Sequence, residues 1–259
     1  MSSRSANVLR VLLEPGLTGA ENMRRDTGLL EAQDEESPPA LRLYTWEPAA
    51  ISLGFMQRAE ELVDLDACRA AGIDVVRRPT GGRTILHWEE ITYAVVASTR
   101  DARFGAHLGA AHAVIGECLA AGLAHLGIAT ELSRPLRDPQ RRLLRQPCFV
   151  SAGRSELLVG GRKLLGSAQR RRAQAFLQHG SLLVGSAHVR LVEFLLDTRG
   201  DPRLAATMQR RLGRDTTTLG DLLGRRPAFE ELTTALVRGF SERLGLVPEL
   251  VDRTSLARL

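Results

Sequence analysis

Lys163 is the only lysine in this chain of 259 residues; every other one of its 35 basic side chains is arginine. A lysine can lose its proton at modest cost when buried and presents a compact point charge, whereas a guanidinium stays protonated. A lone lysine in an arginine-biased chain is either a compositional leftover or a residue doing what arginine cannot. Its surroundings favour the second reading. Fifteen positions earlier, across an expected hairpin, stands Cys148, at the end of an arginine- and proline-bearing segment (133–147). A thiol with an ordinary pKa near 8.5 is mostly protonated at neutral pH, and a nearby ammonium favours the thiolate. Cysteine and lysine together make a nucleophile and its activator, the equipment of acyl transfer. Cys68 and Cys118 each lie within an amphipathic helical pattern and read as small buried hydrophobes.

Two further groups have types suited to a site. Gly81-Gly82 ends an expected strand, and such a pair lets backbone N–H groups approach a ligand, although a hairpin turn uses glycines in the same way. Gly166-Ser167-Ala168 puts small residues on an expected strand where a substrate chain can lie against the backbone. His87 and His179 suit either a site or a satisfied core. Arg77-Arg78, on a strand, reads as one solvated and one partly buried charge.

Taken in order, several segments resemble the biotin/lipoate protein ligase superfamily, and most closely its cysteine-dependent octanoyltransferase branch. They are Glu21 to Leu30, Trp46 with Ser52 to Gln57, Arg77 to Tyr93, Cys148-Phe149, and Gly161 to Ser181. The resemblance implies that Cys148 forms an acyl-thioester and that Lys163 lowers its pKa and steadies the substrate carbonyl. Gly81, Gly82, His87, Gly166, Ser167 and Ala168 would line the acyl tunnel, with Arg77 also binding substrate. Gln57, Arg83 and His179 occupy matched positions without an assigned role. The ATP-dependent ligases of the superfamily typically carry a third glycine where this chain has Arg83, as the octanoyltransferase branch does. Thr84 replaces a usual alanine, and Trp88 follows His87 where an acid is usual.

The implied donor is octanoyl-acyl carrier protein. The implied acceptor is a lysine on a lipoyl-accepting protein, such as the glycine-cleavage H protein or a dehydrogenase E2 domain. No cofactor is then required; ATP and Mg²⁺ enter only in the alternative of an ATP-dependent lipoate ligase. A lipoyl-domain amidotransferase and a non-catalytic lipoyl- or biotin-binding sensor are further alternatives.

The elements that must position these residues read as an α+β domain, a mixed and largely antiparallel sheet flanked by helices, without the regular βαβ alternation of a doubly wound fold. Residues 16–30 place Met23, Asp26 and Leu29/Leu30 on one face of a helix. Strands are expected at 41–46 and 50–55, joined by a Glu-Pro turn, then a helix over 60–71 and strands at 74–78 and 90–98. A long helix over 107–126 follows, then a hairpin about Gly160-Gly161 and a strand from Ala175. From His188 the pattern turns helical. Residues 1–34 are expected as a strand and helix packing on a catalytic domain of 35–247, with a tail at 248–259.

A hydrophobic content of 44% supports a full core, and a net charge of +5 favours acidic partners. Only 4% of residues are aromatic and no nucleic-acid-binding motif is present, so nucleic acid is excluded; the arginines between 137 and 145 suit docking of an acidic carrier instead. No apolar run approaches a membrane span, the N-terminus lacks a secretory signal, and the cysteines form neither a disulfide framework nor a metal motif. The expected location is cytoplasmic and no metal is expected.

Overall fold

The computed structural model describes residues 7–105, 107–133 and 156–251. Cys148 and most of the arginine-rich segment lie outside the described residues, as do residues 252–259 of the expected tail.

In chain order the elements are β1 (Val8–Leu17), α1 (Gly19–Ala32), β2 (Ala40–Trp46), β3 (Ala50–Leu53), α2 (Leu65–Ala70), β4 (Asp74–Arg77), β5 (Ile85–His87) and β6 (Glu90–Ser98). There follow α3 (Leu108–Ala124), β7 (Glu131–Leu132), β8 (Leu157–Val159), β9 (Arg162–Arg171) and β10 (Ala175–Leu183). The chain then runs through α4 (Pro202–Asp215), α5 (Leu219–Leu223), α6 (Phe229–Leu244) and β11 (Val247–Leu250). Eight described strands form one sheet in the order β11-β1-β2-β6-β10-β9-β8-β7, and β4-β3-β5 form a second. Pairing is parallel at β11-β1-β2 and β3-β4 and antiparallel elsewhere, so the mixed, largely antiparallel sheet with flanking helices is what the protein has.

Both faces of the large sheet are covered, which is why β6 and β10 are buried along their whole length. Alternation sorts the side chains. On β6, Ile91, Tyr93, Val95 and Ala97 join the core beneath α3 and α6, with Ile115, Leu119, Leu236 and Phe240. Ala94 and Val96 point the other way, toward Met23, Leu29 and Leu30 of α1. On this second face α1 and the smaller sheet enclose a space lined by several of the residues that the sequence singled out.

Several local outcomes differ from the sequence pattern. The expected strand at 41–46 forms and that at 50–55 forms over Ala50–Leu53 alone, and the two belong to different sheets. The helix expected over 60–71 is confined to Leu65–Ala70, because Asp64 caps it by accepting from the amides of Asp66 and Ala67, and Val63 is drawn into a bridge with Leu195. After α6 the chain turns back to strand: Gly245 ends the helix in the left-handed region, Pro248 is unsuited to a helix interior, and the open side of β1 supplies hydrogen-bond partners. β1 therefore lies inside the large sheet and β11 is its edge, with the expected boundary at 247/248 falling within β11.

Candidate active site

Between α1, the large sheet and the small sheet lies a mainly apolar cavity of about 430 Å³, its mouth included. Its lining draws Gly166, Ser167 and Ala168 from β9, His179 from β10, Gly82 from the turn after β4, and His87 from β5. Six residues singled out by the sequence thus come from four places in the chain to one wall. Met23, Tyr44, Trp46 and Ile85 supply much of the rest.

Two main-chain approaches shape it. A Cβ on Gly180 would stand 2.5 Å from the Gly166 carbonyl oxygen and 2.6 Å from Tyr93 Cε1. At the other side, a Cβ on Gly54 would collide with the Gly82 carbonyl oxygen, and Gly82 itself has φ near 102°, the region that favours glycine. Gly82 therefore serves close packing and a special backbone conformation together, whereas a Cβ on Gly81 would meet open space.

The turn carrying Gly81 and Gly82 is held by Arg78. Its guanidinium donates to the Gly81 carbonyl (2.9 Å), the Arg83 carbonyl (2.7 Å) and the Ser52 carbonyl and hydroxyl (3.0 and 3.1 Å). Arg77, the expected substrate binder, is exposed at the end of β4, and the buried neighbour at the cavity is Arg78. Arg78 directly follows β4, its amide donating to the Leu53 carbonyl (2.9 Å). Gln57 closes the adjoining turn, its Oε1 accepting from the Gly54 amide (2.8 Å) and the Thr84 hydroxyl (3.3 Å).

His179 bonds Asp26 through Nδ1 (2.8 Å) and the Thr80 hydroxyl through Nε2 (2.7 Å). Burial alone would raise the Asp26 pKa, but the His179 hydrogen bond and the Arg42 charge outweigh it and hold the carboxyl below its usual value. An ionised Asp26 only accepts, so His179 Nδ1 donates, and in the neutral imidazole Nε2 then accepts from Thr80. The order Asp, His, hydroxyl mimics a nucleophilic triad, yet Thr80 is fully buried and does not line the cavity, so the relay tethers the turn. Arg42, also fully buried, donates to Asp26 (2.8 Å), to the Asn22 side chain (2.6 Å) and to Glu14, and lies over the Tyr44 ring. His87 stacks on Trp46 with centroids 4.1 Å apart and bonds Ser52 through Nε2 (2.7 Å); burial pushes its pKa down, keeping the ring neutral. The histidines thus act here as brackets.

Lys163 is 2% exposed, and its Nζ donates to Glu156 Oε1 at 2.7 Å. It lies on β9 three residues before Gly166, about 10 Å along an extended strand. Glu156 is 4% exposed, and its backbone is clamped to Ser133: the Ser133 amide donates to the Glu156 carbonyl (2.8 Å) and the Glu156 amide to the Ser133 hydroxyl (2.9 Å).

Sequence reasoning gave no role to Asp26, Arg42, Thr80, Arg78 or Glu156. For Asp26 the signal was present, a carboxylate on the same helical face as Met23, Leu29 and Leu30. Arg42 carried a similar one, a charge inside the apolar strand LRLYTW. Among the described residues no group of His, Cys, Asp or Glu is arranged to hold a metal, and no helix is long and apolar enough to cross a membrane.

The lipoyl protein ligase A/B catalytic domain model matches residues 18–241, which takes in the smaller sheet, the large sheet apart from β1 and β11, α1 and every described residue of the cavity wall. The chain belongs to this family. Members with similar sequences include the octanoyltransferase LipM of Symbiobacterium thermophilum, 41% identical over 88% of this chain and 83% of that protein. The LipM of Geobacillus kaustophilus is 34% identical, over 92% and 87%. Among solved structures, the bipartite lipoate protein ligase of Thermoplasma acidophilum superposes with a TM-score of 0.76 at 24% identity, covering 97% of this chain and 91% of that one. A lipoate-protein ligase A bound with ATP gives 0.75 at 24%, covering 97% and 93%. Octanoyltransferase relatives and ligase structures thus share one fold.

Proposed function

We propose that this enzyme is an octanoyltransferase of lipoate biosynthesis, moving octanoate from acyl carrier protein through a Cys148 thioester to the lysine of a lipoyl-accepting domain. The observation that carries the reading is the burial of the chain's only lysine on the strand that walls an apolar cavity. An octanoyl chain has six methylenes, and sheltering them from water is worth about 5 kcal/mol at ~0.8 kcal/mol each. The one guanidinium that lines the cavity among the described residues, that of Arg78, is engaged with the turn, and the described lining suits hydrocarbon.

The Cys148 thiolate attacks the thioester carbonyl; the C–S bond to the carrier breaks and the carrier thiolate takes a proton. The unprotonated amine of the acceptor lysine then attacks the acyl-enzyme, an amide C–N bond forms, the Cys148 thiolate departs, and the amine's extra proton is lost. One thioester is exchanged for another and the amide step is downhill, so the scheme uses no nucleotide. Cys68 and Cys118 are poor alternatives as nucleophiles: both are buried, and burial raises both thiol pKa values, that of Cys118 to about 12. Dependence on a thiolate fits a reducing cytoplasm. The acceptors in this reading are the glycine-cleavage H protein or dehydrogenase E2 domains.

Intact-mass measurement after mixing with octanoyl-acyl carrier protein tests it. One octanoyl group should appear without ATP, be released by hydroxylamine, survive Cys68→Ser and Cys118→Ser, and vanish in Cys148→Ser. Strict dependence on ATP, or full transfer by folded Cys148→Ser, would overturn the assignment.

A further inference from the structure

We propose that a corner of the cavity formed by Ser181, His87 and Glu90 binds a hydroxyl group, so that the site takes medium-chain acyl groups bearing one hydroxyl as well as saturated octanoyl. The inference rests on the reading above in taking an acyl chain as the occupant of the cavity.

Strand alternation brings the corner together. Ser181 lies two residues beyond His179 on β10, on the face turned toward α1, while its neighbour Leu182 joins the core on the other face. Thr92 of β6 stands directly opposite Ser181, and Glu90 points to the same face two residues earlier. Thr92 accepts from Trp46 Nε1 (2.8 Å) and gives its own hydrogen to Glu90 Oε1 (2.6 Å). His87, stacked on Trp46, brings Nδ1 to 3.4 Å from the same Oε1. Ser181, Thr92 and His87 all line the cavity, and with Glu90 they are only 1%, 2%, 5% and 6% exposed.

The hydrogens of the corner can be followed one by one. Arg78 donates to the Ser52 hydroxyl (3.1 Å), so Ser52 gives its single hydrogen to His87 Nε2 (2.7 Å). The neutral ring then carries its hydrogen on Nδ1, on the side of Glu90, at a separation too long for a good hydrogen bond. His87 Nδ1, Glu90 Oε2 and Ser181 Oγ are buried and have no hydrogen-bond partner among the described residues. They are a donor, an acceptor and a hydroxyl that serves as either, and leaving such groups unmet is costly. A methylene meets none of them, and a carbonyl oxygen leaves Glu90 Oε2 bare. A hydroxyl accepts from the imidazole and donates to an oxygen, so it matches the set. With a saturated chain in the cavity, a water molecule offers the same pair of bonds.

The test uses the intact protein and free acids, so it depends neither on acyl transfer nor on Cys148. Isothermal titration calorimetry compares octanoate with monohydroxyoctanoates that carry the hydroxyl at each carbon from the second to the eighth. A wall of hydrocarbon penalises an added hydroxyl about 10²-fold, and we expect one position, or two adjacent ones, to escape this and bind within about tenfold of octanoate. In Ser181→Ala the Kd of that isomer relative to octanoate should rise by about tenfold, the loss of one hydrogen bond. Ser181→Cys, close in shape but with a weak S–H donor, should move the same ratio in the same direction and serves if the alanine variant fails to fold. The proposal is overturned if every hydroxy acid binds about 10²-fold more weakly than octanoate, if all positions bind alike, or if none of the acids binds. It is equally overturned if the favoured isomer keeps its ratio to octanoate in a folded Ser181 variant. Should the favoured isomer bind as expected while octanoyl-acyl carrier protein leaves no acyl group on the enzyme, the octanoyltransferase reading fails and the hydroxyl site stands.

Discussion

Replacing Arg42 with methionine removes the cation at the centre of the buried network under the cavity. Arg42 is fully buried, and so are the two carboxylates it serves, Glu14 and Asp26. Breaking a buried ion pair from one side typically costs about 3–5 kcal/mol, because a charge is left without its partner. Here both carboxylates keep something. Glu14 still pairs with Arg25, and Asp26 still accepts from Tyr44 (2.9 Å) and His179. The cost should therefore lie near the lower end, about 3 kcal/mol, which for a chain of this size lowers Tm by roughly 6–12 °C. The pH dependence gives a second handle. Asp26 has its folded pKa depressed, so it adds stability that is present above its unfolded pKa and lost as pH falls through the folded value. Removing the Arg42 charge removes one cause of that depression. The gap between wild type and Arg42→Met should thus be widest at neutral pH and narrow on acidification below about pH 5. Urea unfolding followed by circular dichroism across that range measures both. A neutral-pH gap under about 1 kcal/mol, or one that widens in acid, would refute this account of the network.

Two other outcomes follow from the cavity and from the lysine. Gly180→Ala drives a methyl into the Gly166 carbonyl, which as backbone cannot rotate away; it should cost about 1–3 kcal/mol and lower kcat/KM for octanoyl more than for hexanoyl thioesters, as steady-state kinetics with both donors would reveal. Lys163→Arg keeps the charge but puts a larger, forked group where a compact ammonium meets Glu156, so single-turnover acylation should fall by about 10²–10⁴-fold, nearly as far as in Lys163→Ala; a near wild-type rate would mean that the lone lysine is a compositional accident.

Much of the cavity wall was legible because its residues sit on strands whose alternation is plain. EITYAVVAS became β6 with the expected bounds, and the hairpin about Gly160-Gly161 brought Gly166 to Ala168 into place as β9. What escaped depended on partners distant in sequence. No local pattern says that β2 and β3 enter different sheets, or that 247–250 finds an open edge on β1 more than 200 residues earlier. Choosing between Arg77 and Arg78 required knowing which of them meets the turn of Gly81 and Gly82 at the cavity. The tether from Asp26 to Thr80 joins helix, strand and turn through one imidazole, so the helical face predicted for Asp26 revealed its burial but not its errand.

The main-chain walls at Gly82, Gly166 and Gly180 give this pocket an uneven evolutionary freedom. A wall made of backbone has no side chain left to shorten, so substitution there can only subtract room. Space for a longer or bulkier acyl group must be carved from residues that still have atoms to lose, such as Met23, Tyr44, Trp46 and Ile85. Of these, Tyr44 and Trp46 are tied by hydrogen bonds to Asp26 and Thr92. Lineages drifting toward larger acyl groups would then be funnelled through Met23 and Ile85, while the glycines, held by close main-chain contact or by backbone conformation, stay fixed in either direction.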